Sequence, residues 1–169
     1  MNRMREIRVE KVVINVGVGK TGEELQKAQK IIEKITQAKA VKTKAKVRQP
    51  KWGIRPGLEI GVKVTLRGKK ALDFLRKALE TKEFTLKESQ FDNFGNFAFG
   101  VAEHIELPGV KYEPELGIIG FDVIVALERP GYRVKRRKYK KAKVGKKHRI
   151  TKEEAIEFAK EKLGIKVVK

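Results

Sequence analysis

"KVVINVGVGKTG", residues 11–22, is the stretch whose reading decides the fold. An apolar, β-branched run leads into three glycines spaced Gly17-x-Gly19-x-x-Gly22, and a helical pattern follows. The spacing matches a dinucleotide-binding turn, and Gly19-Lys20-Thr21 matches the end of an ATP-binding loop. Neither reading finds the partner residues it needs. A phosphate loop ending in Gly-Lys-Thr has a glycine five positions before its last one, and Ile14 stands there. A dinucleotide turn has a carboxylate about twenty positions on to hold the ribose. That region reads "AKAVKTKAKV", without an acid. Repeated strand–helix–strand units are missing as well. The glycines are therefore expected to turn the chain from a strand into a helix through left-handed backbone. Lys20 and Thr21, at that helix N-terminus, still suit a backbone phosphate of RNA.

Outward from this turn the pattern mixes strands and helices without regular alternation. "IRVEKVVINV" (7–16) reads as a strand, and "EELQKAQKIIEKITQA" puts Leu25, Ala28, Ile32 and Ile35 on one helical face. "KAVKTKAKV" (39–47) predicts a short basic strand. "LEIGVKVTL" (58–66) turns Ile60, Val62, Val64 and Leu66 inward and exposes Lys63 and Thr65. "KKALDFLRKALE" predicts a helix with Ala71, Leu72, Leu75 and Leu79 as its apolar stripe. "NFAFGVAEH" (96–104) and "IIGFDVIVAL" (118–127) alternate like half-buried strands. Thr151 and Glu154 form a capping box, and Gly164 marks the stop of the last helix. The expectation is a single α+β domain over residues 1–169: an antiparallel sheet, helices packed on one face, and long basic loops.

Charge is the strongest bulk signal. Forty-one basic residues against twenty-one acidic ones give a net charge of +20 on 169 residues. That much like charge repels itself, and a polyanion relieves the repulsion. A solubilising coat would balance lysine with glutamate, which is not the case here. Residues 34–58 carry eight cations and no acid, and residues 129–149 carry twelve and no acid. Residues 80–128 hold ten acids and three lysines. Such segregation gives one phosphate-attracting side and one that is not. Nucleic acid is the favoured partner, ahead of an anionic membrane surface. No apolar run approaches the ~18 residues of a membrane span. The first residues lack the apolar core of an export signal, and the absence of cysteine rules out disulfides and thiolate metal sites.

Four further segments carry candidate chemistry. "VRQPKWGIRPGL" (47–58) reads as an exposed, semi-rigid basic loop with Arg48, Lys51 and Arg55. Trp52 within it either stacks on a base or folds back into the core. The run 129–149 sets Tyr132 and Tyr139 among Arg133, Lys135, Arg136, Arg137, Lys138, Lys140 and Lys141. It is either a stacking surface or a solvated tail that neutralises RNA. "ESQFDNFGNFAFGVAEH" (88–104) is acidic, so its phenylalanines 91, 94, 97 and 99 are expected in the core, with Gly95 in a turn. Glu103-His104-x-Glu106 is the one acid–base constellation. It is read as a surface cluster on a strand, since adjacent strand residues face opposite ways. No catalytic, metal or cofactor site is expected.

"VVINVGVGK", "KVTLRG", "FDNFGNFAFGVAEH", "ELPGVKYEPELGIIGFDV" and "RPGYRV" follow one another along essentially the whole chain. In that order they resemble the large-subunit ribosomal protein L5 family, in its archaeal and eukaryotic-type form. The resemblance implies a non-enzymatic protein of the cytoplasmic ribosome that binds 5S rRNA in the central protuberance. Matched motif by motif, Asn15, Gln37, Thr65 and Arg67 are the implied 5S contacts, with Lys20 beside them. Arg48, Lys51, Trp52 and Arg55 fall in the loop that the family turns toward P-site tRNA. The resemblance also implies contact with 23S-type rRNA, with neighbouring 5S-binding proteins, and with the basic small-subunit head protein S13. The acidic middle segment suits that last partner electrostatically.

Overall fold

The structure is a computed structural model and describes residues 2–168. Five strands, β1 (Arg8–Gly17), β2 (Val41–Lys44), β3 (Glu59–Leu66), β5 (Phe97–Val101) and β6 (Phe121–Glu128), form one antiparallel sheet. Their order across it is β2-β3-β1-β6-β5. The α+β expectation holds, with β1 in the centre between β3 and β6. A small parallel pair, β4 (Thr85–Lys87) with β7 (Lys166–Val168), ties the end of the chain to the middle.

Alternation places the core. Val12, Ile14 and Val16 of β1, Val62, Val64 and Leu66 of β3, and Val123 and Val125 of β6 are all buried on one face. Helices α1 (Glu23–Thr36) and α2 (Lys69–Glu80) seal that face with Leu25, Ala28, Ile31, Ile32, Phe74, Leu75, Ala78 and Leu79. Burying such side chains stabilises by roughly 1.5–3 kcal/mol each, before the entropy of ordering them. Helix α3 (Lys152–Leu163) starts at the Thr151–Glu154 capping box and ends at Gly164 in left-handed backbone, as expected. It joins the core through Ala155 and Ala159 and packs beside β7.

Three expectations need correction. Leu72 is 39% exposed, and Phe74 and Ala78 take its place on the buried stripe of α2. The spacings 72/75/79 and 71/75/78 both fit a helical face, and packing against β1 and Phe121 chooses the second. Phe91, Phe97 and Phe99 are buried, but Phe94 is 66% exposed. It rides on a turn over residues 92–95 that faces outward. Finally, β5 stops at Val101, so residues 103–106 are not strand, and His104 is buried in a single helical turn.

The glycine turn is as the sequence reading has it. Gly19 (φ +75°) and Gly22 (φ +107°) adopt backbone that L side chains rarely reach. The amides of Val18 and Gly19 both donate to the Ile60 carbonyl, at 3.0 and 2.8 Å. A phosphate-cradling loop would aim those amides at an anion; here they fasten β1 to the start of β3.

Candidate RNA interface

The helices cover one face of the sheet and leave the other open. Because β-strand side chains alternate, the neighbours of the core residues populate this open face: Val13 and Asn15 of β1, Lys63 and Thr65 of β3, Asp122 and Ile124 of β6. Register fixes their order. One row across the strands reads Val41–Lys63–Asn15–Asp122–Gly100, and the next reads Thr65–Val13–Ile124–Ala98. Asn15 thus lies between a lysine on the β3 side and an aspartate on the β6 side. On this face the cation is Lys63 of β3 and the anion is Asp122 of β6, while β2 contributes Val41 and β5 contributes Ala98 and Gly100. Asn15 also lines a shallow hollow with Lys82, Gly100 and Asp122 at the end of the sheet nearer the glycine turn.

Not every residue matched to 5S binding shares this face. Asn15 and Thr65 do. Lys20 is exposed in the turn between β1 and α1, beside the acidic first turn of α1, Glu23 and Glu24. Gln37 is the left-handed cap of α1 and lines a hollow with Lys70, Asp73 and Lys77 of α2, in the helical layer. Arg67 lies just past β3 and reaches Glu10 at 3.4 Å.

Glu10 belongs to an ion-pair chain that local sequence patterns do not reveal. Its carboxylate, 7% exposed, takes Arg67 and Arg136, with Lys11 at 3.8 Å. Arg136 spans from Glu10 to Glu128 (2.6 Å), and Glu128 also holds Arg8 at 2.7 Å. The carboxylates are nearly buried while the guanidiniums keep 42–62% of their surface. Each arginine therefore has donors left over on its exposed side.

The basic run is anchored at both ends and open in its middle. Arg129, 5% exposed, donates to the carbonyls of Arg5 (3.1 Å) and Arg149 (3.2 Å) and to Glu154 (2.8 Å). Tyr132 is buried too, which removes it as a stacking face. Its hydroxyl donates to the His148 carbonyl at 3.3 Å and accepts the Ile150 amide at 3.0 Å. Between these anchors Arg133, Lys135, Arg137, Lys138, Lys140 and Lys141 stay exposed, and Tyr139 is 77% exposed. The run is a strapped-down loop rather than a trailing tail.

At the other end of the sheet, residues 45–58 prolong the β2–β3 hairpin. Gln49 and Ile54 exchange both backbone hydrogen bonds, 2.9 and 3.1 Å, and close a tight tip over Pro50-Lys51-Trp52-Gly53. Ile54 is the residue that plugs inward, so Trp52 is left 74% exposed beside exposed Arg48, Lys51 and Arg55. Of the two readings for Trp52, the outward one is the structure's.

His104 is shaped for structure. Its Nδ1 accepts the Ile119 amide at 3.3 Å, while its own amide donates to the Ile119 carbonyl at 2.9 Å. Burial holds its pKa below the ordinary histidine value, because desolvation disfavours the charged ring. The neutral ring thus pins the two ends of the β5–β6 connection. The described residues contain no group of three or more His, Cys, Asp or Glu side chains fit to hold a metal. No helix among them is long and apolar enough to cross a membrane.

Comparison with known proteins extends over nearly the whole chain. The family model described as "Ribosomal protein L5" matches residues 2–55, and the model for the C-terminus of the same ribosomal family matches residues 59–158. The gap between them falls inside the β2–β3 hairpin, so one sheet contains both matched segments. The chain is similar to "Large ribosomal subunit protein uL5" of Nanoarchaeum equitans, 55% identical over 166 residues and 98% of each chain. The protein of that name from Archaeoglobus fulgidus is 52% identical, over 97% of this chain and 91% of its own. That from Sulfolobus acidocaldarius is 48% identical, over 99% and 94%. By matches to both family models and by similarity to these relatives over nearly the whole chain, the chain belongs to the ribosomal protein L5 family.

Proposed function

We propose that the chain, acting as one RNA-binding unit over residues 1–169, holds 5S rRNA in the large ribosomal subunit through its open sheet face. The coarser statement follows from the family: the protein is a non-enzymatic structural constituent of the large subunit. The finer one rests chiefly on the uncovered row Lys63–Asn15 with Thr65 beside it. Asn15 and Thr65 offer hydrogen bonds to sugar edges and phosphates, and Lys63 supplies charge. Asp122 disfavours phosphate on the β6 side, so the RNA backbone lies over β2, β3 and β1. Arg67 and Lys20 border that half from opposite ends. Gln37, in the helical layer, meets RNA only where the RNA wraps around the β2 edge.

The hairpin tip with Arg48, Lys51, Trp52 and Arg55 supports contact with P-site tRNA, since it projects an uncovered aromatic among cations. The exposed middle of the basic run suits 23S-type rRNA. The acidic middle segment, residues 80–128, suits the basic small-subunit head protein S13, and the sheet edges suit neighbouring 5S-binding proteins.

The test is a gel-shift titration of 5S rRNA over a range of salt. Asn15→Ala and Thr65→Val are expected to weaken binding by about 1 kcal/mol each, and Arg67→Ala by about 1.5–3 kcal/mol with a shallower salt slope. Lys51→Ala with Trp52→Ala should leave 5S affinity intact. Folded Asn15 and Arg67 variants that bind 5S rRNA like the parent would refute the open-face assignment.

A further inference from the structure

The exposed phenylalanine on the 92–95 turn has a setting that the sheet-face reading does not use. Phe94 borders a hollow of about 230 Å³ whose other walls are Tyr132, Lys135, Lys143, Val144 and Arg149. One exposed aromatic ring therefore shares a small concavity with three cations and an apolar floor. Drug-sized ligands occupy pockets of about 300 Å³ and above, so this one suits a smaller, flat group.

The hollow is held in shape from two sides. The two carboxylate oxygens of Asp92 take three N–H groups: the Phe94 and Asn96 amides (2.8 and 2.7 Å) and the Asn96 side chain (2.8 Å). Those bonds fix the turn and occupy the one carboxylate of the turn itself. Gly95 lies so close to Ile150 that a Cβ there would collide with the isoleucine side chain, which locks the turn against the end of the basic run. On the far wall, Arg149 Nε donates to the Val144 carbonyl at 3.1 Å, and Lys135 lies 4.7 Å from the Tyr132 ring centre. A large apolar side chain held rigidly in water, instead of folding into the adjacent core, loses burial free energy that a bound flat ring would restore.

We propose that this hollow receives a single unpaired RNA nucleotide, its base stacked on Phe94 and its phosphates held by Lys135, Lys143 and Arg149. Base–aromatic stacking tolerates any base, and cations around the ring capture the flanking phosphates. The inference rests on the RNA-binding reading above but concerns a surface separate from the Asn15–Thr65 row. An acidic peptide is the competing occupant, and the aromatic ring favours the nucleotide.

The probe is a short single-stranded oligouridylate carrying one 2-aminopurine, whose fluorescence is quenched on stacking. With the exposed Trp52 removed as a second stacking face (Trp52→Ala), the chain should quench it, and adding Phe94→Leu should remove most of the quench and weaken binding about tenfold. Phe94→Tyr should keep both. Lys135→Ala with Lys143→Ala should weaken binding and reduce the salt slope, while the quench returns at saturation. Unchanged quench and affinity in Phe94→Leu would sink the proposal, as would equal competition by an oligoglutamate of the same length. Parallel titration of 5S rRNA separates the two claims. Tight 5S binding with no 2-aminopurine quench removes the pocket alone, whereas loss of both removes RNA binding as such.

Discussion

Arg129 opens the most basic run of the chain, and by charge alone it is a phosphate ligand; its contacts make it a staple instead. The perturbation is Arg129→Ala. The guanidinium side chain is 6% exposed and joins three parts of the fold: the Arg5 carbonyl, the Arg149 carbonyl and the Glu154 carboxylate. Breaking a buried ion pair by removing one partner costs about 3–5 kcal/mol. Glu154 keeps 39% of its side-chain surface, so water partly replaces the lost cation, and the lower end of that range applies. The orphaned carbonyls add to the loss, giving about 3–4 kcal/mol in all. With a urea slope of roughly 2 kcal/mol per molar, the midpoint falls by about 1.5–2 M. Circular dichroism is the suitable probe, because Trp52 is already 74% exposed and reports little on unfolding. The salt slope of 5S binding should stay where it is, since no phosphate contact has been removed. A variant as stable as the parent but with a slope shallower by about one phosphate would refute the staple and restore Arg129 as an RNA ligand.

Glu10→Gln removes the carboxylate shared by Arg67 and Arg136 and keeps its shape. It should cost about 1–2 kcal/mol, because both guanidiniums are half exposed and re-solvate, lowering Tm by about 2–8 °C. The loss should shrink at high salt, and thermal unfolding at low and high salt checks it; no change at low salt speaks against the ion-pair chain. For His104 the folded pKa lies below the unfolded 6.5, so the unfolded state binds more protons between the two values. Its contribution to stability is whole above that window and is lost as pH falls through it. Glu33, held below the usual carboxylate range by the Ala40 amide and then Gln29, titrates lower still. So does Glu154: burial would raise its pKa, but the Thr151 amide and Arg129 outweigh that. Urea midpoints at about pH 7.5 and about pH 5.5 should therefore fall in the parent and fall less in His104→Gln; equal falls would contradict the assignment.

What the sequence exposes and what it hides divide along the distance over which residues interact. The β3 alternation and the Thr151–Glu154 box are local patterns, and each is where it is read. The β6 alternation starts three residues later than read, at Phe121 with Ile118 50% exposed, and Ile31 joins the α1 stripe while Ile35 is only half-buried. The basic run has no period, because its order comes from partners far away in sequence. Arg129 meets Arg5 at a separation of 124 residues, and Arg136 meets Glu10 at 126. The same holds for His104, which looks like surface until the Ile119 amide is placed on its ring. Phe94 misleads for a different reason. Hydrophobicity predicts burial, whereas the Asp92 hydrogen bonds and the Gly95–Ile150 contact turn that ring outward.

The open face and the core are products of one register. Asn15 lies between Ile14 at 0% exposure and Val16 at 4%, and Thr65 between Val64 at 2% and Leu66 at 3%. A slip of one residue along β1 or β3 would expose these apolar side chains and bury Asn15, Lys63 and Thr65. The slip costs several buried side chains at once, at roughly 1.5–3 kcal/mol each, so the polar row cannot drift without unmaking the core. The row also sets the sign of charge across the sheet. Lys63 and Asp122 flank Asn15 on neighbouring strands because β3 follows a basic segment and β6 closes an acidic one. Positional precision for the proposed RNA contact thus needs no dedicated scaffold: the packing of Val12, Ile14 and Val64 against α1 and α2 supplies it.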